Sequence, residues 1–171
     1  IEIPSAALAA DVLAREVDAR LATMPVGTRV LAGNFKIGAE LGFARGDADI
    51  AVLDHPLNHK HGRAPQLALW GLAHDTRDSL GDTPLLLVAS SNDVDFRDLL
   101  AHYHRLCEQV GPLPPPRVLN IDHGRQRFLL FELGTSRRDG PCTTPAIAFL
   151  DAPAPSARVG GAFQVAGWAF K

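Results

Sequence analysis

Two cysteines, one methionine and one tyrosine are all that 171 residues supply of those types, and the shortage narrows what the chain can do. Cys107 falls in a helical pattern and Cys142 in a Pro/Thr loop, with neither CxxC nor metal-ligand spacing between them. The spacing gives no thiolate metal site. Two ordinary thiols are expected, with a disulfide left open for an oxidising compartment. Long basic runs are missing too. None exceeds the pair Arg137-Arg138, and the formal net charge is -2, so no basic field draws nucleic acid. Nor does any stretch approach the roughly 18 to 20 apolar residues that span a bilayer. Internal repeats and low-complexity tracts are absent.

What is present is an ordinary globular composition, 46% hydrophobic and 21% charged, enough to bury a core without metal or disulfide staples. The length suits one domain, or one domain with part of another. The chain opens on Ile1, and the expectation is a domain cut from a larger polypeptide, inactive by itself.

Periodicity arranges strands and helices in alternation. Residues 5–24 carry Leu13, Val17, Leu21 and Met24 at helical spacing, behind a capping Ser5 and ahead of Pro25 and Gly27. Continuous apolar runs over 28–32, 49–53 and 84–89 suit buried parallel strands. Helices are expected over 35–44, 64–73 and 93–110, with a polar loop over 55–62. Strand, helix, strand with short links reads as a right-handed βαβ unit. Residues 117–121 and 127–133 flank Asp122-His123-Gly124-Arg125 and read as an antiparallel hairpin at the sheet edge. The expected fold is α/β: a Rossmann-like, mostly parallel sheet with flanking helices and an antiparallel hairpin edge, followed by a short β extension. The expected divisions are an α/β domain over 1–134, a linker with a short strand over 135–151, and a β segment over 152–171. That last segment either pairs back onto the α/β domain or opens a second β domain.

Most constellations that carry chemistry fail on spacing. AGNFKIGAELG, where the first strand hands over to a helix, is neither GxGxxG nor a Walker loop, so a plain turn with an Asn cap is expected. His55, His59 and His61 have zinc-binding chemistry, but Pro56 breaks helical spacing and no carboxylate follows at a ligand offset. His102 and His104, two apart on a helix, point in different directions. His74 and Asp75 are neighbours without a partner nucleophile. No G-x-S-x-G elbow exists, and a hydrolase built on Ser90 or Ser91 would need a His within reach. The acidic pairs Asp47 with Asp49, Asp75 with Asp78 and Asp93 with Asp95 are explained by capping and solvation. No catalytic residue, metal or cofactor is expected.

One polar cluster remains: Asn34, Lys36, Glu40, His55, Asn58, Lys60, Arg63 and Gln66, at the carboxyl ends of the first two strands. Open α/β sheets collect ligands at that edge, and Lys36 and Arg63 suit a phosphate or carboxylate. Asn34, Lys36, Glu40, His55, Asn58, Arg63 and Gln66 are the candidate binding residues.

The stretches GNFKIGAELGFARG and VLDHPLNHKHGRAPQLALW, with LLLVASSND, FRDLLAHYHRL, RVLNI and RFLLFEL further on, resemble the soluble C-terminal periplasmic part of bacterial polytopic membrane glycosyltransferases. These are the GT-C type enzymes of glycosyltransferase family 39, the mannosyltransferase-like group. The resemblance rests on Asn34, Phe35, Gly38-Ala39, Gly42 and Phe43, then on Asn58, Arg63, Gln66 and Trp70, and it covers roughly residues 20–133. It departs where Leu67, Ala68 and Leu69 replace the Asp usual beside the Gln-Trp element, and where Gly38 replaces a larger residue. The GG-x-F-x-V-x-G-W pattern near the end resembles the opening strand of an appended Ig-like domain. The resemblance implies a parent enzyme that moves a sugar from an isoprenoid-phosphate donor to a glycan or protein acceptor at the periplasmic face of the inner membrane. This domain would then cap the active site or hold a head group, with the membrane-embedded part of the same polypeptide as its partner. The alternative is a ligand-binding or interaction module with a Rossmann-like fold and no catalytic role.

Overall fold

A computed structural model describes residues 5–142, 147–153 and 157–170. The Ser5 side chain, read as a cap, and Ala146, read as the start of a strand, lie outside what is described. Six strands form one sheet in the order β3-β2-β1-β4-β6-β5. They are β1 (Arg29–Ala32), β2 (Ala51–Leu53), β3 (Ala73–His74), β4 (Leu85–Ser90), β5 (Arg117–Ile121) and β6 (Gln126–Leu133). The first four are mutually parallel, while β6 runs antiparallel to both β4 and β5. The fold is thus α/β, with an antiparallel hairpin closing one edge of a mostly parallel sheet.

Both sheet faces are covered, which is why its central strands read as unbroken apolar runs rather than as alternating ones. On one face, helices α1 (Ser5–Leu21) and α2 (Phe35–Arg45) pack Leu13, Val17, Ile37 and Leu41 against Val30, Ala32, Val52, Leu86 and Val88. On the other, helix α5 (Leu99–Val110) packs Tyr103, Leu106 and Val110 against Leu31, Leu53, Leu85, Leu87 and Phe131. Two short helices, α3 (Pro56–Lys60) and α4 (Ala64–Leu69), lie between β2 and β3.

Side-chain hydrogen bonds hold the sheet edges in register. Asn92 donates to the Arg125 carbonyl at 3.0 Å and accepts from the Arg127 N–H at 2.7 Å, which pins the hairpin to the end of β4. Arg77 is 2% exposed, and its guanidinium donates to the carbonyls of Gly134 and Thr135, each at 2.9 Å, where β6 ends. A buried cation held by carbonyls is stable only while those acceptors stay in place.

Four sequence expectations need correction. The helix expected over 64–73 stops at Leu69, and Ala73 belongs to β3 instead. The stretch 55–62 is not all loop, because it contains α3, started by Pro56 at its first turn and by the His55 ring as cap. Helix α5 begins at Leu99 rather than 93. The intervening residues form two short 3₁₀ turns, Ser91–Asp93 and Phe96–Asp98. The two cysteines are not free thiols: Cys107 and Cys142 are bonded, with Cα atoms 5.9 Å apart. The loop after β6 folds back over the end of α5, where Arg137 donates to the Glu108 carbonyl at 2.9 Å, and this carries Cys142 to Cys107. Finally, β8 (Ala166–Phe170) pairs antiparallel with β7 (Ile147–Ala152) in a separate two-stranded sheet.

Reducing the disulfide, or making Cys142→Ser, should lower stability by about 2–4 kcal/mol and leave the fold intact. The urea midpoint with and without reductant measures it. Gly38 supplies a second test. A Cβ there would lie 2.7 Å from Val52 Cγ2, so Gly38→Ala should destabilise by about 1–3 kcal/mol through overpacking, despite alanine's better helix propensity. The penalty should shrink in a Val52→Ala background, as read from a double-mutant cycle of urea midpoints.

Candidate functional site

The chain order around β1 sets the site's location. From β1 it moves outward through β2 and β3, then crosses back to β4 on the other side. The carboxyl ends of β1 and β4 therefore flank a topological switch point, the usual ligand crevice of such sheets. Asn34 follows β1 there, His55 follows β2 and Asp93 follows β4.

Asn34 is 2% exposed and bonds through both its oxygen and its amide nitrogen. Its side-chain oxygen accepts from the N–H groups of Lys36 and Ile37, capping α2, and its amide donates to Asp93 at 2.7 Å. Lys36 pairs with the same carboxylate at 3.5 Å. Asn58, also buried, donates to the Leu53 carbonyl and accepts from the Phe35 N–H, both at 2.9 Å, tying the end of β2 to the start of α2. The positive end of α2 therefore faces the protein's own Asp93, in the place an exogenous anion would take. Glu40, one turn on, has its carboxyl pushed up by desolvation and then by Asp93, against the pull of Lys36.

Beneath this network lie two buried imidazoles. His55 and His102 are 3% and 4% exposed, with ring centroids 5.6 Å apart in an edge-to-face arrangement. His55 Nδ1 accepts from the Leu57 N–H at 3.1 Å, which leaves the neutral ring's proton on Nε2. That nitrogen and both nitrogens of His102 have no partner among the described residues. Burial drives both rings toward neutrality, helped for His102 by His55 and Arg105 and opposed by Asp93, and His102 falls to about 4.

The seven candidate residues separate into two groups. Asn34, Lys36, Glu40, His55 and Asn58 gather at the switch point. Arg63 and Gln66 instead line a groove of about 820 Å³ between α2 and α4, with Phe35, Phe43 and Trp70. Lys60 ends α3. The three histidines near α3 do not converge. His55 points inward, His59 pairs with Asp54 at 2.6 Å, and the His61 ring lies 5.6 Å from the Phe35 ring. No set of three or more His, Cys, Asp or Glu among the described residues could hold a metal.

Sequence reasoning passed over Asp93 as a cap or surface acid and His102 as an undirected helix residue. The signal for Asp93 was its position just past a third buried strand. For His102 it was the apolar stripe of Leu99, Tyr103, Leu106 and Val110, which it shares. His74 does have a serine neighbour: its Nδ1 lies 2.7 Å from Ser79 Oγ. Ser79, however, donates its hydroxyl to the Thr76 carbonyl at 2.8 Å, so the imidazole is the donor and cannot serve as that serine's base. The Ser90 hydroxyl accepts from the Asn92 N–H, and no His among the described residues bonds Ser90 or Ser91. Comparison of the chain with family models, with curated proteins and with solved structures gave no match.

The buried pair makes stability depend on pH. Unfolded His102 takes up a proton near pH 6.5, whereas in the fold it does so near 4. Between those values the unfolded chain binds the extra proton. Stability is therefore complete above about pH 6.5 and drains away as pH falls toward 4, by up to about 3 kcal/mol. Urea unfolding at pH 7, 5.5 and 4.5 should show this loss, and His102→Phe should flatten the slope by about one proton.

Proposed function

We propose that the chain is the extracytoplasmic domain of a bacterial polytopic membrane glycosyltransferase of the GT-C type, similar to family 39. The parent enzyme moves a sugar from an isoprenoid-phosphate donor to a glycan or protein acceptor at the periplasmic face of the inner membrane. The domain caps the active site or holds a head group, and the membrane-embedded part of the same polypeptide is its partner.

The observation that carries this reading is the convergence of the two resembling stretches. Residues 33–43 and 55–70 are joined by the Asn58 hydrogen bond to Phe35 and share one groove. Separated stretches that meet on one surface support a common working role better than either alone. The Cys107–Cys142 bond supports an oxidising compartment. No helix among the described residues is long and apolar enough to cross a membrane, so the membrane part in this reading is supplied elsewhere in the parent.

An antibody to the chain, used on fractionated source cells, tests the proposal. The expected antigen pellets with membranes, resides on a polypeptide far larger than 18.3 kDa, and is digested when protease is added outside spheroplasts. Membranes carrying it should transfer sugar from a polyprenyl-phosphate donor, and deletion of residues 29–133 from the parent should abolish transfer. An antigen protected inside spheroplasts or found in the soluble fraction would overturn the proposal and favour the ligand-binding module.

A further inference from the structure

The groove between α2 and α4 has an unusual wall. Along α2 it presents Gly38, Ala39 and Gly42 between two phenyl rings, Phe35 and Phe43. The helix backbone is bare there because a Cβ at Gly38 would strike Val52, and one at Gly42 would lie 3.0 Å from the Asp47 carbonyl. The opposite wall is one face of α4 and its end, with Arg63, Gln66, Leu67 and Trp70 at helical spacing. Trp70 is 64% exposed and Phe43 is 90% exposed. The side chains of Arg63, Gln66 and Asp49, all lining the groove, bond to no described residue.

We propose that this groove is a binding site for a neutral oligosaccharide, with one sugar ring against Trp70 and with Gln66, Arg63 and Asp49 meeting hydroxyls along its length. Three physical arguments lead there. Its volume lies within the roughly 300–1,000 Å³ of small-molecule sites, and its exposed rings offer flat faces whose negative quadrupole attracts the weakly positive C–H face of a sugar. The free amide, guanidinium and carboxylate supply paired donors and acceptors for neighbouring hydroxyls. A purely apolar chain would strip water from those three groups and return no hydrogen bonds. A phosphate would enter a groove whose lining carries one Arg and two carboxylates, Asp47 and Asp49, with Asp47 only partly neutralised by Arg45 at 3.3 Å. Neutral and polyhydroxylated is the chemistry that satisfies all of these groups. The assignment deepens the glycosyltransferase reading by naming the moiety the domain holds, and it rests on that reading only for which saccharide the groove meets in the cell.

The test is titration of the isotope-labelled 171-residue chain with maltotriose, mannotriose, cellotriose and chitotriose, and separately with inorganic phosphate and n-octanol. The Trp70 indole N–H resonance and the amides of Gly38 and Gly42 report on the groove. At least one trisaccharide should shift them saturably at or below about 1 mM. Trp70→Ala should weaken that binding about tenfold, Trp70→Phe should weaken it less, and Gln66→Ala should also weaken it. Trp70 is largely exposed, so circular dichroism should be unchanged in its variants. The site is wrong if no trisaccharide moves these resonances, if phosphate or octanol moves them and the sugars do not, or if Trp70→Ala binds as tightly as the parent sequence. Such a failure would leave the fractionation experiment above unaffected, so the two proposals fall separately.

Discussion

The carboxylate of Asp93 faces the start of α2, and much of the molecule's upper edge is organised around it. Asn34 reaches it with its amide while capping α2 with its carbonyl oxygen. Lys36 reaches it with its ammonium group, and Asn58 fastens the same helix start to β2. Three strands and one helix thus meet in a group of side chains in which both asparagines bond through their oxygen and through their amide nitrogen. A buried polar network of this sort is stable when every member is satisfied and costly when one is removed. The imidazoles of His55 and His102 are buried beside it, 3% and 4% exposed.

That arrangement has a consequence for where ligands can go. In an open α/β sheet the crevice between β1 and β4 is the expected pocket, and here the protein has filled it with its own anion. The available concavity lies to one side, between α2 and α4, where glycines keep the helix wall bare and an indole stands in solvent. The two regions share residue Phe35, whose N–H bonds Asn58 and whose ring borders the groove. Rigidity at the switch point therefore positions the wall of the adjoining trough.

Strands β1, β2 and β4 were legible because both sheet faces are covered, and runs such as LLLVAS in β4 have no polar side to hide, whereas the two-residue β3 was not, since Ala73 read as the end of a helix. The hairpin was legible because Gly124 sits in a turn that takes its backbone to positive φ, together with Asp122 and His123. The start of α5 was misread for a physical reason. Ser91, Asn92 and Asp93 look like caps, but Asn92 is spent on the hairpin and Asp93 on Asn34, so the helix begins later. Helix α3 was hidden because its cap is a histidine ring nitrogen rather than an oxygen. Of the candidate site, Asn34, Lys36 and Asn58 could be placed from their position after strands, and Asp93 carried the same signal, but that it pairs with Asn34, and that Arg77 bonds the carbonyls after β6, could not be read. Their partners are remote in sequence, and pairings of that kind arise only when the chain closes on itself.

The bond between Cys107 and Cys142 also decides how the molecule carries load. A pull on the chain beyond Cys142 does not run back through β6. It crosses the sulfur bridge to the last turns of α5, and the residues between the two cysteines, with the whole β5–β6 hairpin, carry no tension. Any force transmitted from that side enters the domain through a helix packed across the sheet's centre, and the edge hairpin is mechanically bypassed.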